Sequence, residues 1–262
     1  MAPYLRLRQL CLVAHDLEPV VDDLCAVFGI EVCHRDPNVG KYGLVNALMP
    51  VGTSFIEVVS PIKTGGDTAA GRYLDRRGGD GGYMVINDCD DVARRRNRAA
   101  ALGIRIIEDR EYPGKAHLLQ LHPRDTGGCM LEFDHHTGGE ALDGNYQWAG
   151  PHWQRHVRTE RALAITGVEM QSDHPKALAE RWSAMIERPL AHNGDGIPSI
   201  SLDNAGIRFV EAHDGRGEGL GGIDIRVRDA APVIDAASKR GLAVWADSVI
   251  VCGTRFKLRA GA

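Results

Sequence analysis

The chain has 262 residues, 44% of them hydrophobic and 25% charged, with a net charge of −4. This length is enough for two modules with cores of their own, and the charge leaves no global field to attract nucleic acid or anionic lipid. No apolar run approaches membrane-spanning length, residues 1–6 carry no apolar leader segment, and the six cysteines form no CxxC pair. The expectation is a cytoplasmic protein with free thiols and without a nucleic-acid or membrane partner.

In chain order, Leu5, Leu7, Gln9, Cys11 and Val13 alternate onto one face of a first strand. From Leu17 to about Phe28, Val20, Val21, Leu24 and Phe28 recur at helical spacing, and Gly29 closes that helix. Ile30–His34, Tyr42–Leu48 and Ser54–Val59 read as three strands separated by turns at 36–40 and 50–52. A connecting helix runs from Thr68 to Arg77, with Thr68 as its N-cap and Gly78 as its stop.

The order then recurs. Tyr83–Asp88 is a strand, Asp91–Leu102 a helix stopped by Gly103, and Ile104–Glu108, Ala116–Leu121 and Cys129–Phe133 are three strands. The basic run from Arg94 to Arg98 reads as the wet face of that helix. Residues 137–162 form a polar linker whose Trp148, His152, Trp153 and His156 are expected to pack between domains. Two shorter copies follow. One comprises Ile165–Met170, the helix Lys176–Ile186, Ser199–Leu202 and Ile207–Val210. The other comprises Gly222–Val227, the helix Ala230–Arg240, Ala243–Trp245 and Phe256–Leu258.

The first two copies share one register. An offset of 75 carries Asp16 onto Asp91 and carries Glu57, inside an apolar strand, onto Glu132 in another. Such a register marks one structural unit written twice. A single short helix covers only one face of a βαβββ sheet, so the units must pair. The expected fold class is α+β, with four βαβββ units paired into two curled mixed-sheet modules, residues 1–136 and 163–262. A strand before a helix and the last strand of its unit can be neighbours, so Gln9 can approach Glu57, and position 84 can approach Glu132. Carboxylates at equivalent spots suit a shared site for a cation.

Two stretches carry a resemblance. Ala70 to Val92, with its helix, Gly-rich turn and Asp-Asp, is similar to a stretch of methylmalonyl-CoA epimerases. Gln120 to Phe133, a Leu-His-Pro hairpin leading into a glutamate strand, is similar to the same proteins. The first half therefore resembles the vicinal oxygen chelate superfamily, which includes glyoxalase I, epimerases, extradiol dioxygenases and fosfomycin or bleomycin resistance proteins. The resemblance implies that fold. It also implies a divalent metal (Ni, Mn, Zn, Fe or Mg) held by Gln9, Glu57 and Glu132, with Glu132 doubling as the proton-shuttling base.

The fourth ligand position, a histidine in the superfamily, falls on Met84, and a thioether is a poor donor for such ions. Tyr83, His117, His122 and His136 are the neighbouring candidates for a ligand-binding or donor role. The equivalent positions of the second half are Thr166, Phe209, Gly222 and Lys257, a set that argues against an extradiol dioxygenase iron site. Three functions follow from the resemblance. One is a metal-dependent lyase or isomerase passing through an enediolate of a small hydroxy- or oxo-carbonyl substrate. The second is a metal-free protein sequestering a small molecule, for which Met84 and Tyr83 give an adaptable apolar wall. The third is a regulatory protein whose old cleft is filled by side chains. Homodimer formation, which completes the cleft in two-unit members, is a further expectation.

Overall fold

Apolar alternation forms the first strand, β1 (Leu5–Val13), in a computed structural model that describes residues 3–63 and 68–260. Helix α1 (Leu17–Phe28) buries Leu17, Val20, Val21, Leu24, Val27 and Phe28, the i, i+3, i+4, i+7 stripe of a core-facing helix. It ends where Gly29 adopts φ 66°, a left-handed conformation that favours glycine. Strands β2 (Leu44–Val51) and β3 (Ser54–Pro61) follow as a hairpin.

One expected strand is missing. Ile30–His34 keeps only an isolated bridge between His34 and Leu48. Pro37 opens a 3-10 turn over Pro37–Tyr42, and the Asn46 side chain accepts the Asp36 amide at 2.8 Å. A proline and a side-chain acceptor divert the backbone bonds that a ladder would need.

Helix α2 (Ala69–Arg77) is capped as its sequence implies, with the Thr68 hydroxyl accepting from the Gly71 amide and Gly78 at φ 68°. The second copy contains β4 (Gly81–Cys89), α3 (Val92–Ala101), β5 (Ile106–Tyr112), β6 (Ala116–Leu121) and β7 (Met130–His136). The third contains β8 (Ala162–Ser172), α4 (Pro175–Ile186), β9 (Leu190–His192), β10 (Pro198–Ser201) and β11 (Gly206–Glu211). The fourth contains β12 (Gly219–Val227), α5 (Ala230–Lys239), β13 (Val244–Trp245), β14 (Ser248–Val251) and β15 (Thr254–Ala260).

Two mixed sheets result. The seven-stranded sheet has the order β2-β3-β1-β4-β7-β6-β5, and the eight-stranded sheet β13-β14-β15-β12-β8-β11-β10-β9. The first sheet joins copies one and two, and the second joins copies three and four. In each copy the strand before the helix lies beside the last strand of the same copy. No helix among the described residues is long and apolar enough to cross a membrane.

By packing, the chain divides into two compact units that each draw on both sheets. One comprises Met1–Gln9, Tyr83–Gln147 and Gly167–Gly221; the other comprises Leu10–Gly82, Trp148–Thr166 and Gly222–Ala262. In the first, α3 docks on the end of α4. Arg95 donates to Ile186 O at 2.9 Å, Arg98 to Ala184 O at 2.7 Å, and Arg94 pairs with Glu187. These cations meet the carbonyls and negative dipole end of α4. The basic run is thus a docking surface with a buried Arg95, and the expectation of a wet face is corrected. In the second unit Phe28 meets Phe256, ring centroids 4.8 Å apart, and Arg240 bonds Asp23 at 2.5 Å.

Candidate functional site

Register places the second glutamate. β4 and β7 pair in parallel, with Met84 opposite Met130, Ile86 opposite Glu132 and Asp88 opposite Asp134. β6 pairs antiparallel to β7, with Gln120 opposite Glu132 and Ala116 opposite His136. Side chains alternate along a strand, so Met84, Asp88, Gln120, Met130, Glu132, Asp134 and His136 share one face. Tyr83 and His117 alternate to the other. Glu132 is 4% exposed, and its Oε2 accepts from Gln120 Nε2 at 2.6 Å.

A buried charge cluster adjoins that carboxylate. Asp88 pairs with Arg6 Nη2 and Arg8 Nε, each at 3.3 Å. Burial pushes the Asp88 carboxyl above its ordinary range, against the pull of His136, Arg8 and Arg6. His136 Nε2 lies 3.7 Å from Asp88 Oδ1 and 3.6 Å from Asp134 Oδ2, while its Nδ1 accepts the Gln147 amide at 3.3 Å. An accepting Nδ1 assigns the ring proton to Nε2, facing the two carboxylates. Burial holds the imidazole near pKa 4, so it is neutral at physiological pH.

Residues 139–146 cover this face. Arg6 donates to the carbonyls of Gly139 at 2.7 Å and Glu140 at 2.9 Å, and Arg8 donates to that of Leu142 at 2.6 Å. Tyr146 is fully buried, edge-on to His136 at 4.7 Å, with the Arg8 guanidinium 4.9 Å from its ring. Its hydroxyl donates to Gln9 Oε1 at 2.8 Å. Burial, with Asp134, Asp88 and Glu132 nearby, raises the phenol well above its ordinary pKa and keeps it a donor.

The first copy repeats the theme in the other unit. Glu57 is 8% exposed and its Oε1 accepts from Asn46 Nδ2 at 2.6 Å. Each glutamate thus holds a carboxamide from the neighbouring strand. Phe55 shares the Glu57 face and meets buried Trp153 edge-on at 5.0 Å. The residues 137–162 expected as a linker therefore supply Tyr146 to one face and Trp153 to the other.

Among the sequence-derived residues, Met84, Glu132 and His136 stand on one face, Gln9 reaches the same cluster through Tyr146, and Glu57 belongs to the other unit. His117 bonds Asp109 at 2.8 Å and lies 3.2 Å from Arg96. Sequence reasoning missed Tyr146, Asp88, Arg6 and Arg8. The visible signal was two arginines alternating with leucine in a strand whose other residues, Gln9 apart, are apolar.

The glyoxalase-like domain family matches residues 10–186, more than half of the chain. This chain belongs to the glyoxalase-like domain family. It is a vicinal oxygen chelate protein. An ethylmalonyl-CoA/methylmalonyl-CoA epimerase of Cereibacter sphaeroides is 24% identical over 132 residues, covering 49% of this chain and 96% of the relative. A hypothetical protein from Staphylococcus aureus superposes with a TM-score of 0.67 at 13% identity, covering 98% of this chain and 99% of that one. A mutant of 4-hydroxymandelate synthase from Streptomyces coelicolor also gives 0.67, at 17% identity, covering 92% of this chain and 76% of that one.

Superfamily members use divalent metals, but the donors of this glyoxalase-like protein do not fit one. The Gln9 carbonyl is bonded by a buried phenol, and Glu57 and Glu132 each carry a carboxamide. Met84 offers only a thioether. Among the described residues, no three His, Cys, Asp or Glu side chains converge as a ligand set.

Proposed function

We propose that this glyoxalase-like protein binds a small organic molecule at its Glu132 face without a divalent ion. The observation that supports this most is the Tyr146–Gln9 bond, which engages one lone pair of the oxygen that a metal would need. Met84 and Met130, unbranched and polarisable, suit adaptable apolar contacts with a ligand. The test is ligand-induced thermal stabilisation across a library of small hydroxy acids, oxo acids and aromatic compounds. Hits should give the same shift in chelator-treated protein and in protein supplemented with Mn or Zn. Shifts that vanish with chelator would overturn the reading.

A second reading rests on Glu132, a buried carboxylate whose Oε2 accepts from Gln120 and which holds a base's position in the superfamily. The epimerase relative favours proton transfer next to a thioester carbonyl in this chain also. Solvent deuterium incorporation into methylmalonyl-CoA, absent in Glu132→Gln, would favour this enzyme over a binding protein.

A further inference from the structure

A cavity of about 720 Å³ lies beside the start of α1, and Glu132 is not among its lining residues. Its apolar walls include Leu17, Pro19, Leu44, Val45 and Ile62. Val45 and Ile62 are 42% and 56% exposed, an uncovered apolar surface at the cavity. The buried Asn46 side chain closes its inner end and hands a hydrogen bond on to Glu57.

The charged groups of the wall are unevenly satisfied. Arg35 and Glu18 neutralise each other through two 2.8 Å bonds. Asp36 Oδ1 is used by the Asn38 amide and side chain. Asp16 is the N-cap residue of α1 but makes no side-chain cap bond. The reason is local: an N-cap carboxylate accepts from the second or third helical amide, and the third residue here is Pro19, which has no N–H.

The second copy shows the contrast. An offset of 75 carries Asp16, Asp36, Gly40 and Ile62 onto Asp91, Glu111, Lys115 and Thr137. Those four residues line a smaller cavity of about 260 Å³. There Asp91 does cap its helix, accepting from the Arg94 amide at 2.8 Å. The same cavity thus exists twice, and only in the first copy is the N-cap carboxylate released from the helix.

We propose that the larger cavity binds an organic cation, an ammonium on a compact apolar body, with Asp16 facing the charge and the Leu17–Ile62 walls holding the body. Once Arg35 and Glu18 cancel, the wall keeps the two carboxylates of Asp16 and Asp36, which outweigh the partial positive charge of roughly half a unit at the α1 N-terminus and favour amines. Its lining shares no residue with the Glu132 face, and it does not depend on the function proposed above.

The test is calorimetric titration of the full chain at low salt with naphthylmethylammonium, naphthylmethanol and naphthylacetate. The ammonium should bind most tightly, with the alcohol about fivefold weaker, as a rim charge pair implies, and the acetate weaker still. Asp16→Asn should bring the ammonium down to the affinity of the alcohol. Its unfolding midpoint should fall only slightly, because the side chain makes no cap bond and gives up only its charge at the helix N-terminus. Absence of binding, equal binding of all three, preference for the acetate, or an unaffected Asp16→Asn would each overturn the proposal.

Discussion

The Tyr146 hydroxyl donates to Gln9 Oε1 at 2.8 Å, and both residues are buried. A segment that reads as a linker thereby fills the position next to the first expected metal ligand. Tyr146→Phe keeps the ring on His136 and removes the hydroxyl that makes this bond. The expected loss is about 1–2 kcal/mol, visible in chemical denaturation, with no change in secondary structure by circular dichroism.

His136 sets a pH dependence. Its folded-state pKa of about 4 lies below the ordinary 6.5 because burial disfavours the cation. As pH falls, the unfolded chain therefore takes up this proton first. The stability associated with neutral His136 is complete above about pH 6.5 and declines towards pH 4, by on the order of 3 kcal/mol. Denaturation curves across that window should be steeper in pH for the native chain than for His136→Asn. Equal slopes would place the titration elsewhere.

Arg8 joins Asp88 to the covering segment at Leu142 and Gly144. Arg8→Met removes one partner of a buried ion pair and the donor to those carbonyls. Such a loss costs about 3 kcal/mol, the low end for a buried pair, because Arg6 still pairs with Asp88. Hydrogen exchange should accelerate over 139–147 before it does in β4 or β7. Uniform acceleration would mean that Arg8 stabilises the whole fold and not this segment.

Met84→His combined with Tyr146→Phe restores an imidazole at position 84 and releases the Gln9 carbonyl. With Glu132 these side chains form a three-donor set for Zn or Ni. Metal titration should show at least a tenfold gain in affinity over the native chain, roughly 1.4 kcal/mol. Met84→His alone should gain less.

The sequence carried the fold far. The 75-residue register, the helix stops at Gly29 and Gly78 and the Thr68 cap follow from local rules that tertiary packing did not override. The face shared by Met84 and Glu132 follows from strand alternation. The covering role of 137–162 was not legible. Glycine-rich irregular backbone has no periodicity to read, and its order here comes from Arg6 and Arg8 donating across more than 130 residues of sequence. The same blindness left both arginines unread, because alternation alone does not say which polar residues of a strand are buried. Arg95 failed for a like reason: its partner, the end of α4, lies 91 residues downstream.

Metal content decides most directly between a metal-free cleft and a chelating one. The chain should be purified without chelator from cultures supplemented with Ni, Mn, Zn or Fe, and its metal measured by mass spectrometry beside Glu132→Gln. Metal well below one ion per chain, equal in both proteins, is the expected result. One ion per native chain, lost in Glu132→Gln, would contradict it.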